Sequence, residues 1–187
     1  MRPVVAIAAL VAATALTPEC NHAGQGIPVS HRDRVYAAEQ FSNTVSVTDP
    51  ADHRLVGVIR LGDPAPGNFS PLYRGQALVH GLGFSPDHRT IVVVSIGSNS
   101  ATFIETATNA VKHITYVGRS PHEAFFTPDG SEVWVTVRGE NYVAVLDAHT
   151  YEEKARIVVP GGPGMQIFSP ETASTGTSAP PSPRRRW

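Results

Sequence analysis

The sequence predicts an all-β fold assembled from short repeated strands, and three observations carry that prediction. Backbone punctuators are dense: 16 Gly and 16 Pro make up 32 of the 187 residues, well above the roughly 12% usual in globular chains, which leaves little room for long helices. Segments rich in β-branched and aromatic residues alternate with turn clusters along most of the chain. These segments recur at a fixed interval of 42 residues. Hydrophobic residues at 41% and a formal net charge of -1 fit a globular chain and argue against both disorder and a basic polyanion-binding surface. Length alone suggests one compact domain, a suggestion the repeat revises.

The amino terminus reads as an export signal over residues 1–20. Met1-Arg2 is a short basic stretch, and PVVAIAALVAATAL is an apolar run too short for the ~20 residues of a membrane span. Ala13-Thr14-Ala15 supplies small residues at alternate positions, so the mature chain is expected to start near Leu16. That implies a periplasmic or secreted product with no membrane span after signal removal. Cys20 is the only cysteine, and Thr17-Pro18-Glu19 before it lacks the small residues of a lipoprotein signal. No internal disulfide can form.

The repeat is clearest in Gly83-Phe84-Ser85-Pro86-Asp87, Phe125-Phe126-Thr127-Pro128-Asp129 and Ile167-Phe168-Ser169-Pro170, each 42 residues after the last. Asn99 and Asn141 keep the same spacing, as do Glu105 and Asp147. Asn43 opens an equivalent segment 56 residues before Asn99, one period plus 14 residues. The extra residues fall within 63–79, a Pro/Gly-rich stretch that reads as an inserted loop. Each full period holds four strands; the one around Leu82 to Ser85 is followed by IVVVSIG, NSATFIE and AVKHITYV. Pro128-Asp129-Gly130 and Asp49-Pro50-Ala51-Asp52 suit tight turns, and Arg138-Gly139-Glu140-Asn141 suits a hairpin. Four strands in about 40 residues is the pattern of a β-propeller blade.

The pattern N-x-V-x-V-x-D-x-x-T, together with F-[ST]-P-D-G before V-W-V-T, resembles the YVTN-family β-propeller repeat of exported bacterial proteins, over about Arg34 to Pro170. Glu105 stands where that pattern has Asp, and His88 replaces its turn Gly. The resemblance implies a propeller; relatives in the wider superfamily include binding modules, lactonase-like enzymes and redox domains.

Blades are expected at 34–62 (incomplete), 80–120 and 121–162, with the first strand of another at 163–170. Closed propellers take roughly four to eight blades, so the chain reads as a C-terminally truncated fragment of about three. Residues 171–187, ETASTGTSAPPSPRRRW, form a low-complexity tail with no strand pattern and are expected to be disordered. A permitted back-translation of Glu171 to Pro183, read two bases later, encodes Asp-Gly-Lys-Tyr-Gly-Tyr-Val, which continues the blade pattern. A frameshift after Pro170 is the expectation. A natural linker-like tail and a short form that oligomerises to complete a ring are the rival readings. Either truncated form leaves an open propeller edge suited to self-association.

His80 and His122 lie one period apart, each four residues before the aromatic of its F-[ST]-P motif, a position next to the central funnel of a propeller. With Glu123 they form a candidate ligand site, and the two imidazoles are candidate ligands for a divalent metal. The equivalent residue one period on is Gly164. The competing reading is that both histidines hydrogen-bond loop backbone between blades. Phe69, Tyr73 and Arg74 on the inserted loop read as a lid or as ordinary loop surface. Arg119 and Arg138 read as anion binders or as solvated arginines. The sequence has no G-x-S-x-G, P-loop, H-E-x-x-H, paired-cysteine or C-x-x-C-H motif, and no other cofactor is evident. The expected function is an exported scaffold for an unknown small molecule or protein; the alternative is part of a metal-assisted hydrolase, a lactonase-like enzyme or a redox propeller using the funnel.

Overall fold

A computed structural model describes residues 29–61 and 76–169. The export signal, Cys20, Phe69, Tyr73, Arg74, most of the inserted loop and the tail lie outside them. The described chain is a partial β-propeller of three antiparallel sheets and no helix. The first sheet has three strands, β1 (Val35–Glu39), β2 (Thr44–Asp49) and β3 (Arg54–Arg60). The second runs β4 (Val79–Phe84), β5 (Thr90–Ser95), β6 (Ser100–Glu105) and β7 (Val111–Tyr116). The third runs β8 (Pro121–Phe126), β9 (Glu132–Val137), β10 (Tyr142–Asp147) and β11 (Glu153–Val158). Strand β4 opens at Val79, inside the stretch that the sequence assigns to the inserted loop. Residues 163–169 have no strand partner among the described residues. No helix among the described residues is long and apolar enough to cross a membrane.

Burial explains the strand compositions. TIVVVS of β5 is buried at every residue, because Ile91 and Val93 pack toward the first sheet with Val45, Val47 and Ile59 while Val92 and Val94 pack toward the third with Ala124, Val133 and Val135. A strand covered on both faces needs an unbroken apolar run. Burying each such Val or Ile side chain stabilises the fold by about 1.5–3 kcal/mol relative to exposure, so the two inter-sheet cores dominate stability. Strands β7 and β11 lie at the outer rim, largely exposed, and carry Lys, His, Glu and Arg.

The F-[ST]-P-D motif is a hairpin fastening. Ser85 Oγ donates to Asp87 Oδ1 at 2.6 Å and accepts from the Thr90 backbone N–H at 2.9 Å; Thr127 Oγ1 repeats both contacts with Asp129 and Glu132 at 2.5 and 3.1 Å. The turn then needs a left-handed residue: Gly130 has φ +72°, and His88, in the equivalent place, is held at φ +58°. Asn43 and Asn99 also adopt left-handed backbone, φ +57° and +56°. Their side-chain carbonyls accept the backbone N–H of Leu78 and Ser120, each at 2.9 Å, holding the start of the following sheet.

Candidate functional site

The innermost strands β4 and β8 break their ladders at the same register. Val79 pairs with Ser95 and Leu82 with Val93, so His80 and Gly81 together oppose Val94. Pro121 pairs with Val137 and Ala124 with Val135, so His122 and Glu123 together oppose Thr136. Two residues against one is a β-bulge, which turns a side chain out of the regular alternation. Both candidate histidines and the candidate glutamate sit on these bulges.

The bulges bring the two imidazoles together, with ring centroids 4.2 Å apart and planes tilted by 44°. Each ring is fixed by the residue one period later in the chain. His80 Nδ1 donates to the His122 carbonyl at 3.3 Å, and His122 Nδ1 donates to the Gly164 carbonyl at 2.8 Å. A carbonyl oxygen only accepts, so Nδ1 carries a proton in both rings, and in a neutral ring the lone pair is then on Nε2. The inter-blade backbone contact read from the sequence is therefore present, and it selects the tautomer in which metal-ligating histidines are commonly held.

Glu123 lies beside both rings, its Oε1 3.7 Å from His80 Nδ1 and 3.6 Å from His122 Nδ1. Its side chain is 14% exposed, and its backbone is clamped to Thr136, whose Oγ1 accepts the Glu123 N–H at 3.0 Å and lies 3.3 Å from the Glu123 carbonyl. Gly81 makes room for this arrangement: a Cβ there would stand 2.6 Å from the His122 carbonyl oxygen and would collide with the Glu123 carboxylate. One donor atom from each of His80, His122 and Glu123 falls within 4.8 Å of the others. The other described trio of this kind joins exposed His31 and Asp52 to buried Asp49 at the end of β2, whose Oδ1 caps the Ala51 N–H.

The two arginines diverge. Arg138 and His122 line a cavity of about 210 Å³ with Ile96, Ser120 and Gly139. Arg119 pairs with Glu140 at 3.7 Å and donates to the Gly139 carbonyl at 3.1 Å. Sequence reasoning missed Thr136, Gly81 and the Gly164 carbonyl. Gly81, a glycine directly after a candidate histidine, was a readable sign of close packing; the roles of Thr136 and Gly164 follow from the bulge and the neighbouring sheet, which no local pattern displays.

No protein-family profile and no curated protein matches the sequence. Solved structures match the fold. Hydrazine synthase of Kuenenia stuttgartiensis superposes with a TM-score of 0.61 at 18% identity, over 71% of this chain and 34% of that one. Sqt1 of Saccharomyces cerevisiae gives 0.62 at 14% identity, over 79% and 36%. The dihydro-heme d1 dehydrogenase NirN gives 0.54 at 16%, over 71% and 25%. These neighbours are propeller-type proteins, and the chain spans about a quarter to a third of their length.

Proposed function

We propose that this chain is an exported, YVTN-type propeller scaffold without catalytic activity, and that its ligand is a divalent transition-metal ion held by His80, His122 and Glu123. The observation that supports this reading is the repeated Nδ1-to-carbonyl bond, which holds two imidazoles against each other, leaves Nε2 as the ligand atom of each neutral ring, and sets one carboxylate within 3.7 Å of both Nδ1 atoms. Two histidines and a glutamate form a donor set for zinc-like ions that leaves a fourth position open. Donor-to-metal distances of about 2.0–2.2 Å require the Glu123 carboxylate, which stands at the Nδ1 edge of both rings, to turn toward the Nε2 atoms. Two of the structural neighbours are named as enzymes, but at 14–18% identity they lend this chain a scaffold and no reaction.

The test is a zinc titration of the full chain followed by calorimetry. One ion per chain is expected, with affinity falling more than tenfold in Glu123→Gln and binding abolished in a His80→Ala, His122→Ala double variant. Unchanged binding in those variants, or no binding by the parent chain, overturns the reading.

A further inference from the structure

Segment 163–169 is the third copy of an innermost strand, after β4 and β8. By the 42-residue period its residues correspond to those of β4 and β8, and it already sits against the third sheet as those strands sit against theirs. The Phe168 ring meets Trp134 edge-on at 5.4 Å and 76°, as Phe84 meets Tyr36 at 5.8 Å and 74°. Gly164 accepts from His122, and the Gln166 amide donates to the Trp134 carbonyl. Gly164, Gln166 and Phe168 thus face inward, while Met165 and Ile167 stand 73% and 92% exposed. What this segment lacks, among the described residues, is a second strand of its own blade to pair with.

At the other end the need is reversed. Strand β1 corresponds to β5 and β9: its register with β2, Val35 opposite Thr48 and Tyr36 opposite Val47, matches that of Ile91 opposite Ile104 and Val92 opposite Phe103. Yet β1 bonds only to β2, and its inner edge carries no partner among the described residues. One end presents an innermost strand without a neighbour, and the other presents a neighbour without an innermost strand.

We propose that a second copy of this chain joins the two ends, segment 163–169 of each copy adding as the innermost strand to β1 of the other. The register follows from the intact blades. Phe84 opposes Ile91, and Phe126 opposes Val133; carried over, Phe168 opposes Val35, Ile167 opposes Tyr36 and Gln166 opposes Ala37. Main-chain ladder bonds give such strand addition its affinity. Two copies related by a twofold axis make both junctions at once. Each copy then contributes three blades, and six lies within the roughly four to eight of closed propellers. The pairing is argued from the strand edges alone, and its test uses no metal.

The test uses the full 187-residue chain. Light scattering after gel filtration is expected to give twice the 20.0 kDa of one chain. In a Cys20→Ser background, mixing Ile167→Cys protein with Tyr36→Cys protein is expected to give a disulfide-linked dimer of the two, because directly opposed strand residues place their Cα atoms about 4.5–5.5 Å apart, within disulfide reach. Ile167→Pro, which removes a backbone N–H from the segment, is expected to yield monomers with unchanged β circular dichroism; it carries the test alone should Tyr36→Cys not fold. A parent chain that remains monomeric from micromolar to millimolar concentration overturns the proposal. So does a dimer that neither cross-links at these positions nor responds to Ile167→Pro.

Discussion

His122 both joins two blades and offers a ligand atom, and substitutions that mimic one ring nitrogen at a time separate the two roles. Asn places its amide nitrogen near the position of Nδ1, whereas Gln reaches toward that of Nε2. In His122→Ala the 2.8 Å bond to Gly164 is lost, worth about 0.5–1.5 kcal/mol net. The contact with His80, 4.2 Å between centroids, adds about 0.5–1.5 kcal/mol. The Gly164 carbonyl keeps Thr136 Oγ1 at 3.4 Å, which places the loss near the middle of that sum, ~2 kcal/mol. For His80→Ala the same ring contact is lost, but its bond to the His122 carbonyl is longer at 3.3 Å and its side chain is 33% exposed against 21%, so the expected loss is smaller, ~1.5 kcal/mol. Urea unfolding measures these differences, and His122→Asn should recover at least half of the His122→Ala loss while leaving zinc binding abolished. If His80→Ala costs as much as His122→Ala, or if His122→Asn is as unstable as His122→Ala, then Nδ1 does not tie the blades together as described.

The remaining predictions concern the backbone and the turns. Gly81→Ala should destabilise the chain by about 1–3 kcal/mol, as overpacking does, and weaken zinc binding, because its Cβ would lie 2.6 Å from the His122 carbonyl and displace Glu123; unfolding and calorimetry on one preparation check both. His88→Gly should raise the urea midpoint by the equivalent of about 0.5–1 kcal/mol, relieving a left-handed residue at φ +58°; a lowered midpoint counts against this reading of the turn. Asp129 is held at about 2, below its usual 3.8, first by the Thr127 hydroxyl and then by the Ser131 backbone and hydroxyl. A carboxyl depressed on folding gives stability that is present above pH 3.8 and is lost as pH falls toward 2. The pH dependence of the urea midpoint should therefore flatten over that interval in Asp129→Asn, and an unchanged slope refutes the assignment.

The fold was legible in the sequence because the information is local and repeated. Asp87 and Asp129 fasten their hairpins within two residues of Ser85 and Thr127, and the 42-residue period copies that fastening with its strands. The position of His80 and His122 on the innermost strands followed from the same register. The form of the site did not. It depends on which residues leave the ladder opposite Val94 and Thr136 and on which carbonyl of the next sheet each imidazole meets, properties of packing between repeats. Arg119 and Arg138 show the same limit: both sit on turns beside the third sheet, but Glu140 engages one of them and the His122 cavity receives the other.

The spacing of the histidine bonds has a consequence for repeat proteins built this way. Each imidazole donates to a carbonyl 42 residues ahead, so a histidine at this position measures whether the next blade is seated. His122 passes that test only because Gly164 is in place, and Gly164 belongs to a segment with no ladder of its own among the described residues. Blade stability in stacked repeats is set by neighbour contacts; pairing 163–169 with another strand would fix Gly164 and, through it, the orientation of His122 and the space around Glu123. Completion of the propeller and order at the ligand site are thereby linked: loosening the segment with Ile167→Pro should weaken zinc binding through His122 although residue 167 touches none of the three ligands. Zinc affinity identical in Ile167→Pro and the parent chain would sever that link.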